Sequence, residues 1–157
     1  LNGWQSQPHG NTVQDVIEAA LWEHLPGAGR LTPASRTDSG VHADHQVAVF
    51  RSNDAIDDEA KLVSHLNAAL QAKAPINVRS VVSIGDEFHP SIAAISKLYC
   101  YSLLIDKAPQ GYPTPFHWRR FRPVDLDLQN SILFTSSYCR VIVAFQAGVL
   151  RTPSPAN

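Results

Sequence analysis

Apolar positions along the chain fall into two helical stripes separated by stretches of alternating character. Val13, Val16, Ile17, Ala20, Leu21 and Leu25 keep the spacing of one buried helix face, capped by Asn11 or Thr12 and ended by Pro26-Gly27. Leu62, Val63, Leu66, Ala69 and Leu70 form a second stripe, closed by Pro75. Between them, Leu31-Thr32-Pro33-Ala34 reads as a short strand in which Pro33 requires an edge or first position. Val41, Ala43, Val47 and Val49 recur at period two and predict a strand over residues 41–50. Ile76, Val78, Val82 and Ile84 predict another, broken by Gly85-Asp86. A long strand is expected over residues 94–105, with Lys97, Tyr99, Tyr101 and Leu103 on one face and Leu98, Cys100, Ser102 and Leu104 on the other. Counting an opening strand before the first helix, strand, helix, strand, helix, strand, strand is an α/β layout. Helices then cover one sheet face and leave the other for a ligand.

Composition narrows the setting. A chain of 157 residues with 44% hydrophobic content can bury a core, and a formal charge of −1 gives no global field for a nucleic acid. Any RNA contact must come from a local patch. The best one is His117-Trp118-Arg119-Arg120-Phe121-Arg122, where basic and aromatic residues interleave in an expected loop over residues 113–123. Cys100 and Cys139 have no paired spacing and no secretory leader precedes them, so reduced thiols in the cytoplasm are expected. A buried Cys100 in mid-strand is a poor nucleophile. No apolar run approaches the roughly 20 residues that span a bilayer, so no membrane role is expected.

Candidate chemistry concentrates at residues 36–43, Arg-Thr-Asp-Ser-Gly-Val-His-Ala. Asp and Gly favour a tight turn, and a carboxylate held there at a strand end suits covalent or acid-base work. An ordinary Asx-turn between two strands fits the same local pattern. His42, Asp44 and His45 offer metal-ligand chemistry and a hydrolase reading, but strand alternation sets His42 and Asp44 on one face and His45 on the other. The acidic cluster of Asp54, Asp57, Asp58 and Glu59 precedes the second helix, where the helix dipole favours negative charge over a metal role.

Residues 35–43, Ser-Arg-Thr-Asp-Ser-Gly-Val-His-Ala, followed by Gln46-Val47, resemble the signature of the tRNA pseudouridine synthase A family, Gly-Arg-Thr-Asp-x-Gly-Val-His-Ala. Ser35 replaces the usual Gly. Gly3-Trp4-Gln5, Phe88-His89, Lys97-Leu98-Tyr99-Cys100-Tyr101, Pro123, Asp125 and Leu126 match further family elements in order. The resemblance implies an α/β (α+β) fold with a largely antiparallel sheet, helices on one face and RNA across the other. It implies an isomerase that converts uridine to pseudouridine on the 3′ side of the tRNA anticodon arm, as a homodimer, with no cofactor and no metal. Asp38 would be the catalytic carboxylate. Arg36, Thr37 and His42 would bind the extruded nucleotide, Tyr99 would pack on its base, and Lys97, Arg119, Arg120 and Arg122 would contact the RNA more weakly.

The resemblance covers residues 3–128, so residues 1–128 are expected to form the catalytic domain and residues 129–157 a divergent C-terminal segment. Thr152-Pro153-Ser154-Pro155 reads as a disordered tail. The family's opening strand residues and its later segments are not matched, which makes the chain look incomplete, and little activity is expected of it alone. Arg140 is the candidate to supply the cation that a buried carboxylate needs. A degenerate RNA-binding module of the same fold is the alternative to an active synthase.

Overall fold

Helix α1 spans Val13–His24, as its apolar stripe predicts, and Thr12 rather than Asn11 caps it: the Thr12 hydroxyl accepts from the Asp15 amide at 3.2 Å. The structure is a computed structural model that describes residues 1–100, 103–105, 118–120 and 139–142. These divide into two compact units, Leu1–Ala94 and Ile95–Asn157.

In the first unit α1 packs on α2, Glu59–Gln71. Ala20, Leu21 and Leu25 of the first stripe meet Leu62, Leu66 and Leu70 of the second, together with Ala28. Each buried leucine contributes about 1.5–3 kcal/mol of burial energy. Three of the four carboxylates of the acidic cluster before α2 are engaged in hydrogen bonds. Asp58 caps the helix by accepting from the Lys61 amide at 2.8 Å, Glu59 accepts from the Ser83 amide and hydroxyl, and Asp54 accepts from the Gly27 amide.

The helix face also buries two polar side chains that the apolar stripe does not include. Glu18 is 1% exposed, and its Oε1 accepts from the Gln14 side-chain amide and from the Leu31 backbone amide, both at 2.8 Å. Gln14 also donates to the Leu31 carbonyl at 3.2 Å and accepts from the Ser6 amide at 3.1 Å. A buried carboxylate is tolerated only when its lone pairs are engaged in this way. The pair thereby fixes the backbone on either side of α1, at residues 6 and 31.

Strand β1, Thr32–Pro33, follows directly and pairs antiparallel with β2, Ala48–Val49. The expected strand over residues 41–50 is therefore confined to its last part. Residues 38–47 form a turn and loop, and Val41 and Val47 are 50% and 53% exposed rather than lining a buried face. Val41, Ala43 and Val47 are exposed despite their period-two spacing, because residues 35–46 form a loop closed between Ala34 and Val47, whose amide and carbonyl bond at 2.8 Å.

The strand expected from Ile76 to Ile84 does not form either. Asn67 of α2 takes the place of a neighbouring strand, donating to the Val78 carbonyl and accepting from the Val78 amide. Ile76 and Val78 still pack against the core, whereas Val82 and Ile84 are exposed. A four-residue helix α3, Pro90–Ala93, follows and ties back to β1 through the Ser91 hydroxyl, which donates to the Pro33 carbonyl at 2.9 Å.

In the second unit the long strand expected over residues 94–105 is found as β3, Lys97–Cys100, and β4, Leu103–Ile105. Trp118–Arg120, expected in a loop, forms β5 beside β4, and Cys139–Ile142 forms β6 beside β3. Both pairs are parallel, so among the described strands antiparallel pairing holds only for β1 and β2, beside an isolated antiparallel bridge between Ala28 and Ser52. Parallel partners must be well separated in sequence, as β4 and β5 are by residues 106–117 and β3 and β6 by residues 101–138. The expected boundary at residue 128 and the Pro-rich tail lie outside the described residues. Among the described residues no helix is long and apolar enough to cross a membrane.

The Glu18 network yields a test. Glu18→Ala removes the acceptor of the buried Leu31 amide and should lower unfolding free energy by about 1–3 kcal/mol. Arg30 reaches Glu18 at 3.4 Å but its side chain is 66% exposed, so Arg30→Ala should lose less than about 1 kcal/mol. Urea midpoints of the two variants check this; equal losses would mean the ion pair, not the backbone bond, carries the energy.

Candidate active site

The Asp38 turn is built from three directions. At its base, Ala34 and Val47 are bonded and Gln46 donates through its side-chain amide to the Ser35 carbonyl at 2.6 Å. Within the turn, the Val41 amide donates to the Asp38 carbonyl at 3.1 Å, with Ser39 and Gly40 between them. Gly40 has φ +81°, the positive value that a type II turn requires at that position, and a Cβ there would meet nothing within 4 Å. The third support comes from residues far away in sequence: the Trp4 amide donates to the Thr37 carbonyl at 2.9 Å.

Arg36, Thr37, Asp38 and His42 are thus brought into one short loop. The Arg36, Asp38 and His42 side chains are exposed and Thr37 is half-buried. Among the described residues neither the Asp38 carboxylate nor the Arg36 guanidinium forms a hydrogen bond or ion pair, so both present their charge outward. An exposed carboxylate on a braced backbone is positioned to act on a group brought to it.

The metal reading of His42, Asp44 and His45 is corrected. Arg79 donates through its guanidinium to Nε2 of His45, and no group of three His, Cys, Asp or Glu side chains able to hold a metal occurs among the described residues. Lys97 and Tyr99 belong to the second unit, in β3, where Lys97 is exposed and Tyr99 half-buried. Arg119 and Arg120 lie in β5 and Arg140 in β6, in register with Leu98, while Arg122 lies outside the described residues.

Of the turn's supports, Gln14 and Glu18 are recognisable in sequence only as polar residues four apart beside an apolar stripe. Gln46 and Trp4 fall within the stretches that resemble the family, but their bonds to the turn are not legible there. Trp4 shows this most clearly. It is 3% exposed, and its indole N–H has no partner among the described residues, so it is a core residue that also reaches the turn through its backbone.

No family model matches the chain. It is, however, 37% identical over 129 residues to tRNA pseudouridine synthase A of Geobacter sp. (strain M21), a match covering 82% of the chain and 51% of that relative. It is 36% identical over 126 residues to tRNA pseudouridine synthase A of Dinoroseobacter shibae, covering 80% of the chain and 48% of the relative. Against the protein of that name from Ralstonia nicotianae, identity is 44% over 103 residues, 66% of the chain and 36% of the relative. The chain belongs to the tRNA pseudouridine synthase A family. It spans about half the length of the Geobacter and Dinoroseobacter relatives. Membership of the tRNA pseudouridine synthase A family agrees with the signature at residues 35–43, and the structure places that signature on the braced loop rather than on a strand.

Helix α1 also anchors the loop's support through charge. The Ser6 and Thr12 hydroxyls hold the Asp15 carboxyl below the usual carboxylate range, the Thr12 hydroxyl donating to Asp15 Oδ2. A depressed folded-state value contributes stability that is present above the ordinary Asp range and lost as pH falls through the lowered value. Thermal midpoints of the parent should therefore exceed those of Asp15→Asn at neutral pH, with the gap closing below about pH 4. A gap constant with pH would assign the difference to something other than the carboxylate's charge.

Proposed function

We propose that this chain carries the uridine-isomerising site of a tRNA pseudouridine synthase, with Asp38 as its catalytic carboxylate. The observation that carries the reading is the Thr37-Asp38-Ser39-Gly40 turn, which presents an exposed carboxylate from a backbone fixed by Trp4, Val41 and the β1–β2 stem. The family signature falls on that same turn, and the relatives' names supply the reaction.

In the proposed reaction a uridine of the anticodon arm, on its 3′ side, is extruded from the RNA. Extrusion costs a few kcal/mol and needs replacement contacts. Arg36, Thr37 and His42 supply polar ones beside Asp38, and Tyr99 supplies a ring on which the base stacks, an interaction of about 1–3 kcal/mol. The bond from ribose C1′ to uracil N1 breaks, the freed ring turns, and C1′ bonds to C5. The C5 proton is released and N1 gains one, so the product is an isomer of the substrate and no cofactor or metal is required. Asp38 starts the sequence either by attacking C1′ or by removing the C2′ proton. Lys97, Arg119, Arg120 and Arg122 contribute phosphate contacts that hold the RNA without reading its sequence. The functional unit is a homodimer acting on tRNA in the cytoplasm.

Asp38→Asn tests the assignment, because Asn keeps the size and turn-forming capacity of Asp but is neither nucleophile nor base. Pseudouridine formation on an anticodon-arm RNA should vanish while RNA binding stays within a few-fold. Residual isomerisation by the variant, beside an active parent, would remove Asp38 from the chemistry. Binding by the parent without any isomerisation would favour instead a non-catalytic RNA-binding module of the same fold.

Tyr99 is tested separately by its ring. Tyr99→Phe should keep most of the turnover and Tyr99→Ala should lose about ten-fold or more, since stacking needs the ring and not the hydroxyl. Equal losses in the two variants would assign the role to the hydroxyl.

A further inference from the structure

The Asp38 turn rests against the Gly3-Trp4 backbone more closely than a side chain at position 3 would allow. Gly3 has φ +78°, and a Cβ at that position would lie 2.7 Å from the Thr37 carbonyl oxygen, 3.0 Å from the Asp38 carbonyl carbon and 3.0 Å from the Ser39 nitrogen. All three are backbone atoms, which cannot swing aside as a side-chain end can. The next residue, Trp4, donates its amide to the same Thr37 carbonyl at 2.9 Å.

The other side of this dipeptide is bonded to α1. The Gly3 carbonyl accepts from the Val13 amide at 2.9 Å and the Trp4 carbonyl from the Gln14 amide at 3.1 Å. Those are first-turn amides, which have no partner inside the helix. The Asn2 amide adds a bond to the Asn11 carbonyl at 2.8 Å, and Trp4 is 3% exposed. Gly3 and Trp4 are therefore fixed to the helix on one side and touch the turn on the other.

We propose that Gly3 is a positioning residue for Asp38: its missing side chain lets the helix-anchored Gly3-Trp4 backbone set the height of the Thr37-Asp38-Ser39 turn. This role rests on the reading of Asp38 as the catalytic carboxylate. A side chain at position 3 must displace one of the two backbones it separates. The Gly3-Trp4 side is bonded to a helix with a buried core, whereas Asp38 and Ser39 are exposed and lie outside any helix or strand. The turn is the side that moves. A carboxylate moved by a fraction of an ångström keeps its charge and its solvent exposure but loses alignment with the reacting ribose, and a misplacement of about 1 Å can cost about 100-fold in rate.

Gly10 supplies the control that separates space from backbone conformation. It has φ +66°, yet a Cβ there would meet nothing within 4 Å. Gly10→Ala thus incurs the cost of a left-handed backbone at a non-glycine residue without pressing on anything. Gly3→Asn reduces that conformational cost, because Asn tolerates positive φ, but keeps the Cβ.

The experiment uses the full chain and two readouts. In amide proton–nitrogen correlation spectra, Gly3→Ala and Gly3→Asn should both shift the Thr37, Asp38, Ser39 and Val41 signals, and Gly10→Ala should leave them in place. In turnover of an anticodon-arm RNA, both Gly3 variants should lose about 10- to 100-fold in kcat with KM within about three-fold, and Gly10→Ala should match the parent. Unshifted turn signals in Gly3→Ala, equal effects at Gly10, or rescue by Gly3→Asn would overturn the proposal. So would failure of Gly3→Ala to fold where Gly10→Ala folds, which would make Gly3 a structural residue only. A parent without measurable turnover agrees with the little activity expected of this chain alone, and the spectra then decide whether Gly3 sets the turn.

Discussion

The carboxylate of Glu18 is buried almost completely, and the first unit is arranged around the need to satisfy it. Its Oε1 holds the Leu31 amide and the Gln14 side chain, and Gln14 in turn holds the Leu31 carbonyl and the Ser6 amide. Two stretches that lie far apart in sequence are thereby fixed to one helix face. Residues 2–6 run over the start of α1 and residues 31–34 leave from beside its middle. A charge kept away from water needs such bonds, so the same chemistry that would penalise an unpaired Glu18 makes the paired one a strong constraint on geometry.

The consequence reaches the candidate site through the backbone. Residue 31 leads into β1, and β1 with β2 forms the stem of the loop that carries Asp38. Residues 3 and 4 meet the other side of that loop, at Thr37. Both contacts run back to α1, so the turn is held between two segments whose separation the helix sets. No side chain of the turn needs to be buried for this, which leaves Arg36, Asp38 and His42 exposed on a defined backbone. Exposed functional groups on a loop braced by a scaffold are a common way of combining access with precision.

The two long helices, α1 and α2, are legible in the amino-acid sequence, and so is the identity of the turn. A helix satisfies its own backbone, and its apolar face needs only a spacing that repeats every few residues, so Val13–His24 and Glu59–Gln71 follow from their stripes and their caps at Thr12 and Asp58. The Asp-Ser-Gly sequence specifies a turn for equally local reasons, since Gly40 supplies the positive φ that the turn requires. Its likeness to the family signature, together with the order of the smaller matches along the chain, points to the same family as the Geobacter and Dinoroseobacter relatives.

What only the tertiary structure decided is where extended backbone finds its partners. Val41, Ala43, Val47 and Val49 alternate as a strand should, yet only Ala48–Val49 forms one, and the residues before it belong to a loop closed by Gln46 and by the Ala34–Val47 bond. Residues 76–84 alternate too, but Asn67 and Glu59 of α2 take up the backbone groups that a strand would have bonded. Trp118–Arg120 carries no strong alternation and is nevertheless a strand, because Leu103–Ile105 lies beside it. An extended segment is stable only against a partner outside itself, so its own pattern cannot say whether that partner arrives. The same holds for Gly3, whose need for an absent side chain is created entirely by the backbone of residues 37–39 coming to rest against it.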